Sequence, residues 1–152
     1  MYLNCHTYYS LRFGTFSEEE LLRLAQKNRV TQLVLTDINN TSAGLNFVRL
    51  ALKYNIKPIL GIDFRNGVDQ CFVAIAKNNE GYLELNNFLS NYLHEEREIP
   101  LIAPEFKYAY VVYPFEKVLQ NEQFEFAKHE FIGISIADLR KLPFSKLLKL
   151  KK

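Results

Sequence analysis

Three short apolar runs each lead into a side chain that can bind a metal ion. Leu3-Asn4-Cys5-His6-Thr7 carries His6, Gln32-Leu33-Val34-Leu35-Thr36 runs into Asp37, and Lys57-Pro58-Ile59-Leu60-Gly61-Ile62 runs into Asp63. One imidazole and two carboxylates are each potential metal ligands. Residues two apart on a strand share a face, so Asn4 and His6 point one way and Cys5 the other.

These side chains need elements to carry them to one place. Ser17-Glu18-Glu19-Glu20 reads as a capping box that starts a helix, with three acids at the positive end of its dipole. Leu21, Leu22, Leu24 and Ala25 give that helix an apolar face as far as about Asn28. Val30 to Thr36 is a buried strand, and Asp37-Ile38-Asn39-Asn40-Thr41 a polar loop. A second helix is expected over Ala43 to Tyr54, with Phe47, Leu50, Ala51 and Tyr54 facing inward and Asn55 as a left-handed cap. Pro58 at the start of the third strand costs little, since its missing amide is tolerable there. Strand, helix, strand, helix, strand implies right-handed crossovers and a parallel sheet. In such sheets sites form at the carboxyl ends of strands, where His6, Asp37 and Asp63 all fall.

Further along, Arg65 to Asp69 reads as a turn and Cys71 to Ala76 as a fourth strand able to pair antiparallel with the third. A helix carrying Tyr82, Leu85, Leu89 and Tyr92 follows, then a solvated charge run from His94 to Glu98 and an irregular link bracketed by Pro100 and Pro104. Tyr108 to Tyr113, stopped by Pro114, is a fifth strand, Phe131 to Ser135 a sixth, and Ala137 to Leu142 a short helix. Phe144 to Lys152 reads as a terminal amphipathic helix or as the cut edge of something longer. His94 and His129 are expected at the surface.

With 48% hydrophobic and 24% charged residues, a chain of 152 residues can bury a core and is expected to form one domain. A net charge of +2 gives no electrostatic reason to invoke nucleic acid. Cys5 and Cys71 form neither a disulfide framework nor a CxxC zinc signature, and both are expected reduced and buried. No secretory leader and no apolar run of membrane-spanning length is visible, which points to the cytoplasm and to no membrane partner.

Four of these stretches together resemble the PHP family (polymerase and histidinol phosphatase). Leu3 to Leu11 is similar to its opening His-x-His motif, in the version that opens bacterial DNA polymerase III alpha subunits. Leu35-Thr36-Asp37 resembles Leu-Thr-Asp-His, Lys57 to Asp63 resembles Lys-Pro-Ile-x-Gly-x-Glu, and Ala76 to Tyr82 resembles the Ala-Lys-Asn-x-x-Gly-Tyr stretch of the polymerase branch. The motifs lie between residue 2 and about residue 92. The departures fall on ligand positions: Asn4 stands for the first histidine, Phe13 for an aspartate before the loop glycine, Ile38 for the histidine after Asp37, Asp63 for a glutamate and Cys71 for a histidine.

The resemblance implies an α/β fold, a partial or distorted PHP-type (β/α) barrel of mainly parallel strands spanning residues 1–152 and truncated beyond the motifs. It also implies that His6, Asp37 and Asp63, with Asn4 as a weak fourth, are the vestige of a metal cluster of the kind that generates hydroxide and polarises phosphoryl oxygens. Ile38 and Phe13 cannot bind metal, so one weakly held zinc, manganese or magnesium ion is the most the set would hold, and no catalytic residue is assigned. The function implied is that of the amino-terminal PHP domain of a replicative polymerase subunit in a mainly structural role. Its partners would be the rest of the polymerase chain, DNA through that chain, and other replisome subunits. The alternatives are a metal-dependent phosphoesterase or 3′–5′ proofreading exonuclease using the same three residues, and a stand-alone interaction module. Without the resemblance, His6 reads as a hydrogen-bonded structural histidine, Asp37 as a helix cap or turn former, and Asp63 as a carboxylate facing Arg65.

Overall fold

The computed structural model describes residues 1–120 and 125–144. Six strands form one sheet in the order β1 (Tyr2–Cys5), β2 (Gln32–Leu35), β3 (Lys57–Asn66), β4 (Asp69–Ala76), β5 (Ala109–Pro114) and β6 (Glu130–Gly133). β1, β2 and β3 are parallel, β4 is antiparallel to both β3 and β5, and β6 is parallel to β5. The sheet curls into half of a barrel, a mixed α/β architecture. The first half follows the expected crossovers, because helices α1 (Glu18–Lys27) and α2 (Gly44–Ala51) return the chain to the same sheet edge.

Local sequence explains these helices. Ser17 accepts from the Glu20 amide while the Glu20 carboxylate accepts from the Ser17 amide, the reciprocal pair expected from the motif. The two Ser17 hydrogen bonds hold the Glu20 carboxyl below its usual range. α2 is shorter than the periodicity suggests. Its last turn tightens to a 3-10 turn over Leu52–Tyr54, and Asn55 then stops it in the left-handed region at φ 52°. Asn78 caps α3 (Asn79–His94) by accepting from the Gly81 amide.

Side chains on the outer face of β1 to β3 pack on α1 and α2 through Leu22, Leu33, Leu35, Phe47 and Ala51. On β3 to β5 the outer face packs on α3 and on the link after it, through Phe64, Phe72, Leu85, Ile99 and Phe106. That link, residues 95–108, is irregular as expected, yet Ile99, Ala103 and Phe106 are buried. The concave face is lined by Val34, Ile59, Val73, Ile75 and Val112. The outer face loses water against the helices, and at roughly 1.5–3 kcal/mol per buried large aliphatic or aromatic side chain this burial is the main source of stability.

Several boundaries differ from expectation. β3 does not end before Asp63 but runs on to Asn66, so Asp63 lies inside a strand. The turn is confined to Gly67 and Val68, since Arg65, Asn66 and Asp69 are paired. Pro114 is the last residue of β5, opposite Gly133, where a strand end tolerates its missing amide. A short helix α4 (Phe115–Gln120) follows directly, burying Phe115 and Val118. Ala137 to Leu142 forms no α-helix but a 3-10 turn at Asp138–Arg140, with a second at Leu142–Phe144. The expected terminal helix falls almost wholly outside the described residues. Among the described residues no helix is long and apolar enough to cross a membrane.

Candidate functional site

Asp37 lies two residues beyond β2, and its side chain turns toward the loop that follows β1. Its Oδ1 accepts from the Thr7 amide and the Ser10 hydroxyl, each at 2.6 Å, and its Oδ2 from the Thr7 hydroxyl at 2.7 Å. Ser10 Oγ in turn accepts from the Ile38 amide at 2.9 Å. Asp37, Thr7 and Ser10 are all buried. Gly14 closes the same loop against Thr7, where a Cβ would stand 1.8 Å from the Thr7 carbonyl oxygen. Asp37 therefore fixes a turn, as one reading of its sequence allowed, but in the loop after β1 rather than in its own.

Asp63 is fully buried, and three donors converge on its Oδ2. Arg65 Nη2 and Gln70 Nε2 each stand at 2.8 Å and His6 Nε2 at 3.1 Å. Burial alone pushes the Asp63 carboxyl up, but the hydrogen bonds from His6, Arg65 and Gln70 outweigh it and hold the group below its usual range. Asp63 Oδ1 and Arg65 Nε are buried without a hydrogen-bond partner.

Arg65 is held from three sides. Two residues beyond Asp63 on one strand, it shares the concave face with it. Its backbone is paired twice with the Asn39 side chain, whose Nδ2 donates to the Arg65 carbonyl and whose Oδ1 accepts from the Arg65 amide. The Phe13 ring lies over its guanidinium, 4.5 Å from Cζ to ring centroid. Asn39 can do this because it sits in the left-handed region at φ 44°, with its amide donating to the Asp63 carbonyl.

Of the residues singled out by sequence, His6 and Asp63 are in contact. Asp37 makes its hydrogen bonds to Thr7 and Ser10 instead. The Asn4 side-chain oxygen accepts from the Thr36 hydroxyl at 2.6 Å. Cys5 packs toward the helix side but is only half-buried, short of the expected burial, because β1 is the edge strand of the sheet, whereas Cys71 is fully buried with its thiol near the Ile99 carbonyl. Sequence reading missed Gln70. Phe64 pairs with Phe72 but Arg65 with Gln70, so Cys71 is an extra residue in β4, and this bulge brings Gln70 to Asp63. Thr7 and Ser10 were also missed, although the Thr-x-x-Ser spacing in a glycine-containing loop is the signal that could have shown them. His94 is exposed and His129 half-buried beside the Tyr110 ring. Among the described residues, no group of three or more His, Cys, Asp or Glu side chains is gathered closely enough to hold a metal ion.

The comparisons with known proteins agree with this architecture. An amidohydrolase from Chromobacterium violaceum superposes with a TM-score of 0.53 at 11% identity, over 93% of this chain and 81% of that one, a likeness of fold alone. In sequence, the DNA polymerase III subunit alpha of Ureaplasma parvum serovar 3 is 39% identical over 83 residues, and that of Staphylococcus aureus strain Mu50 is 37% identical over 87. Each alignment takes in 55% of this chain but only 8% of the relative, so the chain spans a small part of the length of those subunits. The PHP domain family model matches residues 3–132, from β1, just ahead of His6, to the last strand of the sheet. The half-barrel, the motif-bearing strands and this match over most of the sequence agree, and the chain belongs to the PHP domain family.

Proposed function

We propose that this chain is the amino-terminal PHP domain of a replicative DNA polymerase III alpha subunit, with a degenerate metal site and a mainly structural role. The family match and the two polymerase relatives support the parent protein, a DNA-directed DNA polymerase of the cytoplasm. Its partners on this reading are the rest of the polymerase chain, DNA through that chain, and other replisome subunits. On this reading no catalytic residue is assigned to the fragment itself.

The single observation that carries the structural role is that protein donors already occupy the candidate ligands. Both oxygens of Asp37 accept hydrogen bonds from the loop after β1, and one oxygen of Asp63 accepts three. Several ions in a cluster need many free donors at about 2 Å, and here a guanidinium stands among them. The residues present do not fit a metal cluster, so His6, Asp37 and Asp63 act as struts between loops and sheet, with Asn4 doing the same for β1.

A second reading is a phosphoesterase or 3′–5′ exonuclease with one bound ion. The free Oδ1 of Asp63 beside the partly exposed His6 favours it. One experiment separates the two. The purified chain is analysed for zinc, manganese, iron and magnesium by mass spectrometry, then assayed with manganese on a phosphodiester and on 3′-labelled single-stranded DNA. The structural reading expects substoichiometric metal and no hydrolysis beyond that of a His6→Ala control. One equivalent of metal, with hydrolysis abolished by His6→Ala, would overturn it.

A further inference from the structure

The feature of the site that ligand loss alone does not explain is Arg65. A pocket that had merely lost ligands would leave Asp63 as a buried, uncompensated carboxylate, which is costly. Instead the same strand supplies a cation two residues on, and three independent devices hold it. Asn39 pairs with its backbone on both sides. Phe13, at a position that cannot ligate metal, covers its guanidinium. Asp63 accepts from its Nη2 at 2.8 Å. The Arg65 side chain is only 12% exposed. Gln70, delivered by the β4 bulge, and His6 complete the set around one oxygen.

We propose that Arg65 is the resident cation of this pocket, doing for Asp63 the electrostatic work that a bound divalent ion would do and barring such an ion from the site. This deepens the structural reading given above and rests on it. The pocket is then a closed ionic lock joining β3, β4 and the two loops after β1 and β2. The guanidinium is both counter-charge and plug, and the Phe13 ring covers one face of it. Arg65 is a positioning residue here and takes part in no chemistry.

The test removes the cation and offers another. Arg65→Ala is expected to lower the midpoint of thermal unfolding by about 10 °C, as fits the loss of one partner of a buried ion pair in a chain of this size. Millimolar manganese is then expected to restore part of that loss in Arg65→Ala and to leave the unsubstituted chain unchanged. Adding Asp63→Asn to Arg65→Ala is expected to recover stability without metal and to abolish the manganese effect, since no buried charge remains to be balanced. If Arg65→Ala does not fold, Arg65→Gln serves instead, keeping a hydrogen-bond donor for Asp63 without the charge, and it is expected to gain manganese-dependent stability.

A midpoint unmoved by manganese in the variant that lacks the Arg65 charge but keeps Asp63 overturns the resident-cation proposal and leaves the structural reading standing. Equal stabilisation of the unsubstituted chain by manganese overturns the plug. One equivalent of metal co-purifying with the unsubstituted chain overturns both readings, so the two failures are distinguishable.

Discussion

Thr7 gives Asp37 two hydrogen bonds, one from its amide at 2.6 Å and one from its hydroxyl at 2.7 Å, across thirty residues of chain. With Ser10 making a third, a buried carboxylate organises the loop after β1. Asp37→Ala leaves three buried donors without their acceptor, and each such orphan costs roughly 1–3 kcal/mol. The expected loss is about 3–5 kcal/mol of unfolding free energy, read from urea titration. Hydrogen exchange at the Thr7 amide should quicken at the same time. If Asp37 were instead a free ligand, its removal from metal-free protein would change neither measurement.

Asp63 makes stability depend on pH, and its sign follows from its partners. The folded carboxyl titrates below its unfolded value, held there against burial by His6, Arg65 and Gln70. A depressed acid contributes stability that is present above the unfolded pKa of about 4 and is lost as pH falls through the folded value. Urea titrations from pH 7 down to pH 3 should therefore show a falling midpoint, and Asp63→Asn should flatten that fall. A variant that keeps the full acid sensitivity would place its origin in other carboxylates.

Gly81 inverts a familiar rule. In a helix interior, alanine for glycine usually adds up to about 1 kcal/mol. Here the first turn of α3 lies against the chain entering β5, and a Cβ at Gly81 would stand 2.0 Å from the Tyr108 carbonyl oxygen. That oxygen is fixed, because it accepts from the Lys77 amide at 2.9 Å. Gly81→Ala is expected to cost about 2–3 kcal/mol, as overpacking against backbone does. Calorimetry checks the sign directly, and a stabilised variant would show that α3 can slide.

The approach of Gly81 to Tyr108 also marks how much of the fold is legible in the sequence. The glycine of Ala-Lys-Asn-x-x-Gly-Tyr could be recognised as part of a motif, but its neighbour Tyr108 is twenty-seven residues away. Local chemistry was readable in the same way. The Ser17–Glu20 capping box and the Asn55 cap act within a few residues, so spacing alone found them. The three parallel strands followed from alternation of elements. The end of β3 did not, because Asp63-Phe64-Arg65-Asn66 is too polar to read as strand until Asn39 and β4 supply partners on both sides. Gln70 was hidden for a related reason: the bulge at Cys71 shifts the register by one residue, and register is a property of two strands together. Pairings such as Asp37 with Thr7 depend on how loops meet, which no periodicity encodes.

Cys5 tests whether the site is bounded where the packing places it. Burial raises its thiol to about 11, whereas an exposed cysteine titrates near 8.5. At pH 8 only about one thiol in a thousand would then be ionised, against roughly a quarter of exposed ones, and the thiolate is the species that reacts and ligates. Cys71 is also raised by burial and is fully covered. The two sit in separate hydrophobic clusters, Cys5 beside α1 and α2 and Cys71 beneath α3, so neither can meet the other. Alkylation of the folded chain at pH 8 should run at least a hundredfold slower than after denaturation in urea. Because the folded pKa is raised, the contribution of Cys5 to stability is complete below about pH 8.5 and declines as pH climbs toward 11. A fast-reacting Cys5 would mean that β1 opens readily from the sheet, and with it the strand that sets His6 against Asp63.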